Sequence, residues 1–258
     1  MISDEQKSQI LEKYRQRLPR GDWFIVQGRW PVEALLTTSL EIHSVLLEED
    51  RHAHLQQMVN GRAPVLQLSS EEIEALMGFP FHRGVLACAH RPQPQSLNVT
   101  HGCVVICPQI ADENNLGAIV RNAACFGATA VAVSADFGAD IYSRKAIRSS
   151  SGTVFRMPVF ETPDLMADVF RLKENGFQVV GTSVGKECVP IRQAHLAEKI
   201  ILLLGSEESG LRDDWFALCD LLVTIPIAHG VDSLNVACSS AVLLYEISQK
   251  IGNPRHFS

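Results

Sequence analysis

The chain has 258 residues, 46% of them hydrophobic and 20% charged, which suits a folded protein of two domains rather than one minimal domain. These proportions exclude a low-complexity or disordered chain, and no stretch offers about 18 uncharged apolar residues for a membrane span. The net charge of −6 excludes a uniformly basic nucleic-acid binder: 10 basic face 12 acidic residues up to residue 97, and 13 face 17 beyond it, so any nucleic-acid surface must be a local patch.

The opening MISDEQKSQILEKYRQRLPR is polar and charged, without the apolar run of a signal peptide, so a cytoplasmic protein is expected. Residues 1–20 read as a charged extension, with an amphipathic helix as the plain expectation and Arg15, Arg17 and Arg20 as a basic cluster. From residue 21, strand-like WFIVQG, helix-like WPVEALLTTS, strand SVLLEE, helix HAHLQQMVN, strand PVLQLS, helix SEEIEALM and strand GVLACAH predict a compact α/β domain over 21–92. Ser69 with Glu72 three residues on is a capping signal for SEEIEALM. RPQPQSLNVT, with two prolines and no periodicity, predicts a linker over 93–100.

Residues 101–258 open on CVVICPQ, a continuous apolar run suited to a strand buried on both faces. Helix NLGAIVRNAACFG, closed by Gly127, and strand ATAVAVS complete a βαβ unit. Strands FQVVGTSV, KIILLLG and LLVTIPI follow, with helices PDLMADVFRLKENG and LRDDWFALC between them and LNVACSSAVLLYEISQKI at the end. The predicted class is α/β, with a mostly parallel C-terminal sheet covered on both sides and a small N-terminal α/β domain. Arg144, Lys145, Arg148 and Arg156 form the second basic cluster and a candidate RNA surface.

Several chemistries lack their signatures. No GxGxxG follows the first strand of the parallel sheet, where ICPQIADENNLG stands instead. GTSVGKE has the wrong glycine spacing for a phosphate loop, and its lysine precedes Glu187 rather than a hydroxyl residue. No GxSxG elbow occurs, and SSSGT has no neighbouring histidine. The seven cysteines form no CxxC pair and lie nearly all in apolar segments, so buried thiols are expected and a metal site is not.

Three polar islands remain, each following an apolar strand, where open α/β sheets place ligands. In ADENNLGAIVR, Asn115 alone reads as a helix cap, while Arg121 stands one turn beyond Gly117, where a guanidinium can grip a phosphate. In ILLLGSEESGLRDDW, Gly205 and Gly210 let backbone approach a ligand, and Glu207 stands between them. In LLVTIPIAHGVDSLNVACSSAVLLYE, a strand runs through Ile225 and Pro226 into a loop with Gly230, and Ser233, Leu234 and Asn235 open a helix rich in small residues.

These segments, in this order, resemble the three motifs of the SpoU or TrmH branch of the SPOUT RNA methyltransferases. The NxGxxxR pattern is met by Asn115, Gly117 and Arg121, the glycine and glutamate turn by Gly205, Glu207 and Gly210, and the last motif by Ile225, Pro226, Gly230, Ser233, Leu234 and Asn235. The likeness spans about residues 103 to 250. VQGRWPVEALL and FHRGVLA more weakly resemble the ribosomal-protein-like substrate-binding domain of many members.

The resemblance implies a deep trefoil knot, a homodimer through the C-terminal domain and S-adenosylmethionine as cofactor, with no metal. It implies methylation of a ribose 2′-hydroxyl in structured RNA, ribosomal RNA first and transfer RNA as the alternative. By the same resemblance Arg121, Asn115, Glu207, Ser233 and Asn235 carry the catalytic roles, and Gly205, Gly210, Ile225, Pro226, Gly230 and Leu234 hold the cofactor. A catalytically silent RNA-binding or assembly protein is the reading from another class, and a dinucleotide-dependent metabolic enzyme is disfavoured by the missing fingerprint.

Overall fold

The computed structural model describes residues 3–15, 20–183, 187–206, 208–228 and 233–251. Its internal contacts divide the chain into two units, residues 1–92 with 142–156, and residues 93–141 with 157–258.

In the first unit the strand and helix signals become α1 (Asp4–Arg15), β1 (Trp23–Gln27), α2 (Arg29–Leu36), β2 (Ile42–Glu48), α3 (Ala53–Val59), β3 (Val65–Leu68), α4 (Ser70–Met77) and β4 (Val85–His90). The sheet order is β1-β4-β2-β3, antiparallel except for the β2–β3 pair. Ser69 caps α4 as expected: its hydroxyl accepts from the Glu72 amide, and the Glu72 carboxylate accepts from the Ser69 amide. Ile25, Leu46, Leu66 and Leu86 close one core with Ile73 and Met77 of α4 and with Ile10 and Tyr14 of α1. Each such side chain removed from water contributes about 1.5–3 kcal/mol. The Tyr14 hydroxyl donates to the Ser44 carbonyl at 2.9 Å, and burial pushes its pKa up.

The segment 142–156, with α6 (Arg144–Ser149), groups with this first unit although the sequence reading placed all of 101–258 in one domain. Aromatic packing accounts for it. Phe24 lies 4.9 Å from Tyr142 and 5.9 Å from Phe155, centroid to centroid. Gly152 has φ +78°, and a Cβ there would stand 2.7 Å from Pro31 Cα, so glycine permits that close approach.

The second unit contains β5 (Cys103–Cys107), α5 (Glu113–Cys125), β6 (Ala130–Ser134), β7 (Val159–Thr162), α7 (Leu165–Glu174), β8 (Gln178–Thr182), β9 (Val189–Pro190), β10 (Ile200–Leu203), α8 (Asp213–Phe216), β11 (Leu221–Thr224) and α9 (Val236–Ile251). Its seven strands run in the order β7-β6-β5-β10-β8-β11-β9, and every pairing is parallel. All five residues of β5 are buried, as its unbroken apolar run required. The short β7 and β9 and the helix α6 went unforeseen, because segments of two to six residues carry too little periodicity.

One core cluster joins Val104, Ile106, Ile201 and Leu203 of the sheet to Leu165, Val169 and Leu172 of α7 and Trp215 of α8. Elsewhere α5 packs on α9, where the Asn122 side chain donates to the Ala237 carbonyl at 2.8 Å and to Ser240 Oγ at 2.9 Å. Within the stretch read as a linker, Leu97 is fully buried: its amide donates to Asp168 at 2.9 Å, and its carbonyl accepts from Arg171 at 2.6 Å. Asp168, itself buried, pairs with Arg171.

Burial pushes the Cys88 and Cys103 thiols up to about 12, as the apolar setting predicted. The expectation of buried cysteines fails for Cys125 and Cys238, which are exposed on α5 and α9. No group of three or more metal-ligating side chains occurs among the described residues.

Candidate active site

Parallel strands all end on one side of a sheet, so their C-terminal ends and the loops beyond them form a common rim. In the second unit, the ends of β8, β10 and β11 and the start of α9 enclose a cleft of about 500 Å³ on that rim. That volume lies in the range of small-molecule sites, roughly 300–1,000 Å³.

Gly205 follows β10 at the cleft wall, and a Cβ there would stand 2.3 Å from the Gly210 carbonyl carbon and 2.4 Å from the Leu211 nitrogen. No side chain fits, which explains the glycine read from sequence. Ser206 and Gly210 pair reciprocally, amide to carbonyl, at 2.9 and 3.1 Å, and Gly210 closes the turn at φ +69°. The Ser206 hydroxyl accepts from the Ser209 amide at 3.2 Å and lies 2.9 Å from the Ser209 hydroxyl. The Ser206–Gly210 pairing thus gives the cleft a wall of backbone.

The last motif supplies the opposite side. Ile225, Ser233, Leu234 and Asn235 line the cleft, while Pro226 lies exposed between the lining residues Ile225 and Ile227. Asn235 Oδ1 accepts from the Ala237 amide at 2.9 Å, so this side chain caps α9, and its Nδ2 donates to Asn115 Oδ1 at 3.0 Å. The first and third motifs are thus joined directly. Asn115 is not the cap of α5, because Asp112 holds that place and accepts from the Asn115 amide at 2.8 Å. Arg121 is exposed on α5 and does not line the cleft; Gly117 is buried. Glu207 and Gly230 lie outside the described residues.

Sequence reasoning missed Thr182 and Ser183 at the end of β8, and Thr224, Leu211 and Phe216. GTSVGKE fails as a phosphate loop, yet its Thr182 and Ser183 reach the cleft simply because they end a parallel strand. That rule alone was enough to find them. Among the described lining residues Glu208 carries the sole formal charge, so recognition there rests on backbone groups, hydroxyls and apolar surface. Of the basic cluster, Lys145, Arg148 and Arg156 are exposed and Arg144 is half-buried, donating to the Tyr14 carbonyl at 3.3 Å, all within the first unit.

Fold and cleft together define a parallel-sheet α/β protein that receives a ligand over the ends of its central strands. The chain belongs to the SpoU rRNA methylase family, whose model matches residues 102–245. It is 33% identical to an uncharacterized tRNA/rRNA methyltransferase of Mycobacterium bovis, over 90% of this chain and 83% of that protein. It is 32% identical to the 23S rRNA (guanosine-2′-O-)-methyltransferase RlmB of Acinetobacter baylyi, over 73% and 79%. The fold is similar to the crystal structure of the SpoU methyltransferase AviRb from Streptomyces viridochromogenes in complex with the cofactor AdoMet, with a TM-score of 0.81 at 23% identity, covering 93% of this chain and 97% of that one.

Proposed function

We propose that the chain methylates a ribose 2′-hydroxyl of RNA, ribosomal RNA in first place, with S-adenosylmethionine as methyl donor. The observation that carries this reading is that the second and third family motifs line one cleft, with Gly205 seated against Gly210, while the first is tied to the third through the Asn115–Asn235 bond. The site fits such a cofactor. At Gly205 the wall is bare backbone, able to take an adenosine at hydrogen-bond distance, while Leu211, Phe216, Ile225 and Leu243 offer apolar surface to a base.

When bound, S-adenosylmethionine supplies a methyl group on a sulfonium, open to in-line attack by an oxygen. The work left to the chain is positioning and charge. Gly205, Ile225 and Leu234 would hold the cofactor through backbone, with Gly210 and Pro226 beside it; Gly230, assigned to the same role by resemblance, lies outside the described residues. Asn235 and Ser233 order the floor of the cleft and Asn115 anchors Asn235; Glu207, to which the resemblance gives a catalytic role, lies outside the described residues. Arg121 takes an RNA phosphate and favours loss of the hydroxyl proton electrostatically; its guanidinium stays protonated and is not the base.

The finer architecture belongs to the same reading. The last loop and α9 form a deep trefoil knot, and the protein is a cytoplasmic homodimer through its C-terminal domain. Support for the dimer is an exposed stripe at helical spacing on α9, Cys238, Val242 and Tyr245. The N-terminal domain over 21–92 binds substrate RNA, with Arg144, Lys145, Arg148 and Arg156 as further RNA contacts.

The test is transfer of labelled methyl from S-adenosylmethionine to total RNA of a strain lacking this protein, followed by nuclease digestion and nucleoside mass spectrometry. A labelled 2′-O-methyl nucleoside in the ribosomal fraction is expected. Label in the transfer RNA fraction would change the substrate, and cofactor binding without transfer to either would overturn the enzyme.

A further inference from the structure

We infer that one end of the four-stranded sheet is a docking site for unpaired RNA, where a base stacks on Trp30 and the neighbouring phosphate meets Arg83. The inference rests on RNA being the substrate and goes beyond that reading by naming the feature of RNA bound and the side chains that bind it.

The two N-terminal segments singled out in the sequence converge here. The Gly28 amide donates to the Val85 carbonyl at 3.0 Å and the Glu48 amide to the Gly84 carbonyl at 2.9 Å, so the loops after β1 and β2 and before β4 share one end of the sheet. Trp30, on the first turn of α2, is 62% exposed, an unusual position for so large an apolar ring. The Arg29 guanidinium lies 4.8 Å from the Trp30 ring centre and is tethered to Glu33 at 2.7 Å, so the ring is oriented by a cation that is itself held. The Arg83 side chain crosses Gly28, where a Cβ would meet its Cδ and Nη1 at 3.3 Å.

The arginines of this rim are not equivalent. Arg51 is spent on Glu48 at 2.5 Å and on the His82 carbonyl. Arg83 is exposed, and among the described residues no carboxylate lies within ion-pair distance of its guanidinium. Its loop is fixed nonetheless, since His52 Nε2 lies 3.1 Å from the Arg83 carbonyl. An exposed indole on the first turn of α2 and, against the Gly28 that precedes that helix, a cation with no carboxylate partner are the equipment by which proteins take single-stranded nucleic acid: the ring stacks on any base face, and the guanidinium donates to a phosphate. A duplex hides its base faces and has no use for Trp30. Because the chain carries −6 overall, affinity must come from such a local arrangement.

The experiment measures binding of the full-length chain to a 12-nucleotide single-stranded RNA carrying 2-aminopurine and to the blunt 12-base-pair duplex. Quenching of 2-aminopurine on binding is expected for the single strand, and Trp30→Ala should abolish the quenching and weaken that affinity about 10-fold while leaving duplex affinity within about 2-fold. Trp30→Phe should restore most of it. Arg83→Gln should weaken both RNAs and flatten the salt dependence by about one ion. Single-strand affinity unchanged by Trp30→Ala, or no binding of the single strand by the unsubstituted chain, overturns the inference. Binding of S-adenosylmethionine, followed in the same samples, separates this outcome from failure of the enzymatic reading, because Trp30 lies in the unit that does not contain the cleft.

Discussion

The two sheets present opposite kinds of surface at their loop ends. The seven-stranded sheet ends in a cleft walled by Gly205 and the Ser206–Gly210 pair, nearly free of charge. The four-stranded sheet ends in Arg29 and Trp30 at the start of α2 and in Arg51 and Arg83 on the neighbouring loops, all exposed. A wall of backbone discriminates shape at short range and suits one small molecule. Projecting cations and an indole suit a long, charged partner whose contacts are individually weak. The difference teaches that glycine is indispensable in the first region and side-chain chemistry in the second.

That contrast breaks most readily at Gly205. In Gly205→Ala the new methyl collides with backbone rather than a yielding side chain, so the turn must move by about 1 Å, a displacement able to cost roughly 100-fold. Isothermal titration with S-adenosylmethionine should show a loss of that order. Gly61→Ala in the first unit is the control: φ is +75° but nothing lies within 4 Å, so the expected cost is about 1 kcal/mol of stability with cofactor binding unchanged. Equal cofactor affinity in both variants would remove Gly205 from the site.

Arg121 sharpens the comparison, since it is the exposed side chain of the backbone-walled unit to which a phosphate contact is proposed. Arg121→Lys keeps the charge and loses the fork; turnover should fall by about 10²-fold with cofactor affinity unchanged, measured under single-turnover conditions. Nearly full turnover in the lysine variant would refute a bidentate phosphate contact.

Ion pairs in the two units should differ as well. Asp168 is buried and serves both Arg171 and the Leu97 amide, so Asp168→Asn leaves a buried group mismatched and should cost about 3 kcal/mol in urea denaturation. In the Glu48–Arg51 pair of the first unit the carboxylate keeps 15% of its surface, against 5% for Asp168, and a glutamine there can still accept from the Ser70 hydroxyl, so Glu48→Gln should cost about 1 kcal/mol. Similar losses in the two variants would mean that the Leu97 segment is not held as described.

How much was legible follows the same physics. Long apolar runs such as CVVICPQ and KIILLLG declared strands, and Ser69 with Glu72 declared the start of α4, because these signals are local. Gly205, Gly210, Ile225, Ser233, Leu234 and Asn235 were singled out by their order in the sequence and do line one cleft, whereas the reason Gly205 must be glycine, its seat against the Gly210–Leu211 backbone, could not be read from spacing. Placement of 142–156 with the first unit was illegible, since it depends on Tyr142 and Phe155 meeting Phe24 across more than a hundred residues. Docking of Leu97 inside a proline-rich stretch was hidden for the same reason: its partners, Asp168 and Arg171, stand some seventy residues away. The Asn115–Asn235 bond spans 120 residues, and no spacing rule reaches that far.

The smallest expected effect is one the two units share. Cys88 in the first and Cys103 in the second are both pushed up to about 12 by burial, from an ordinary value near 9. Below pH 9 native and unfolded chains both keep these protons, so the thiols favour neither state. From pH 9 upward the unfolded thiol ionises while the native one does not, so the native chain binds more protons and stability falls with rising pH, by at most tenfold in the folding equilibrium per pH unit per thiol. Between pH 9 and 10, urea midpoints of Cys88→Ala and Cys103→Ala should each fall less steeply with pH than that of the unsubstituted chain. A steeper loss in Cys103→Ala would mean that this thiol is not held protonated in β5. A difference between the two variants would show which sheet guards its interior better, the one buried on both faces or the mixed one beside it in sequence.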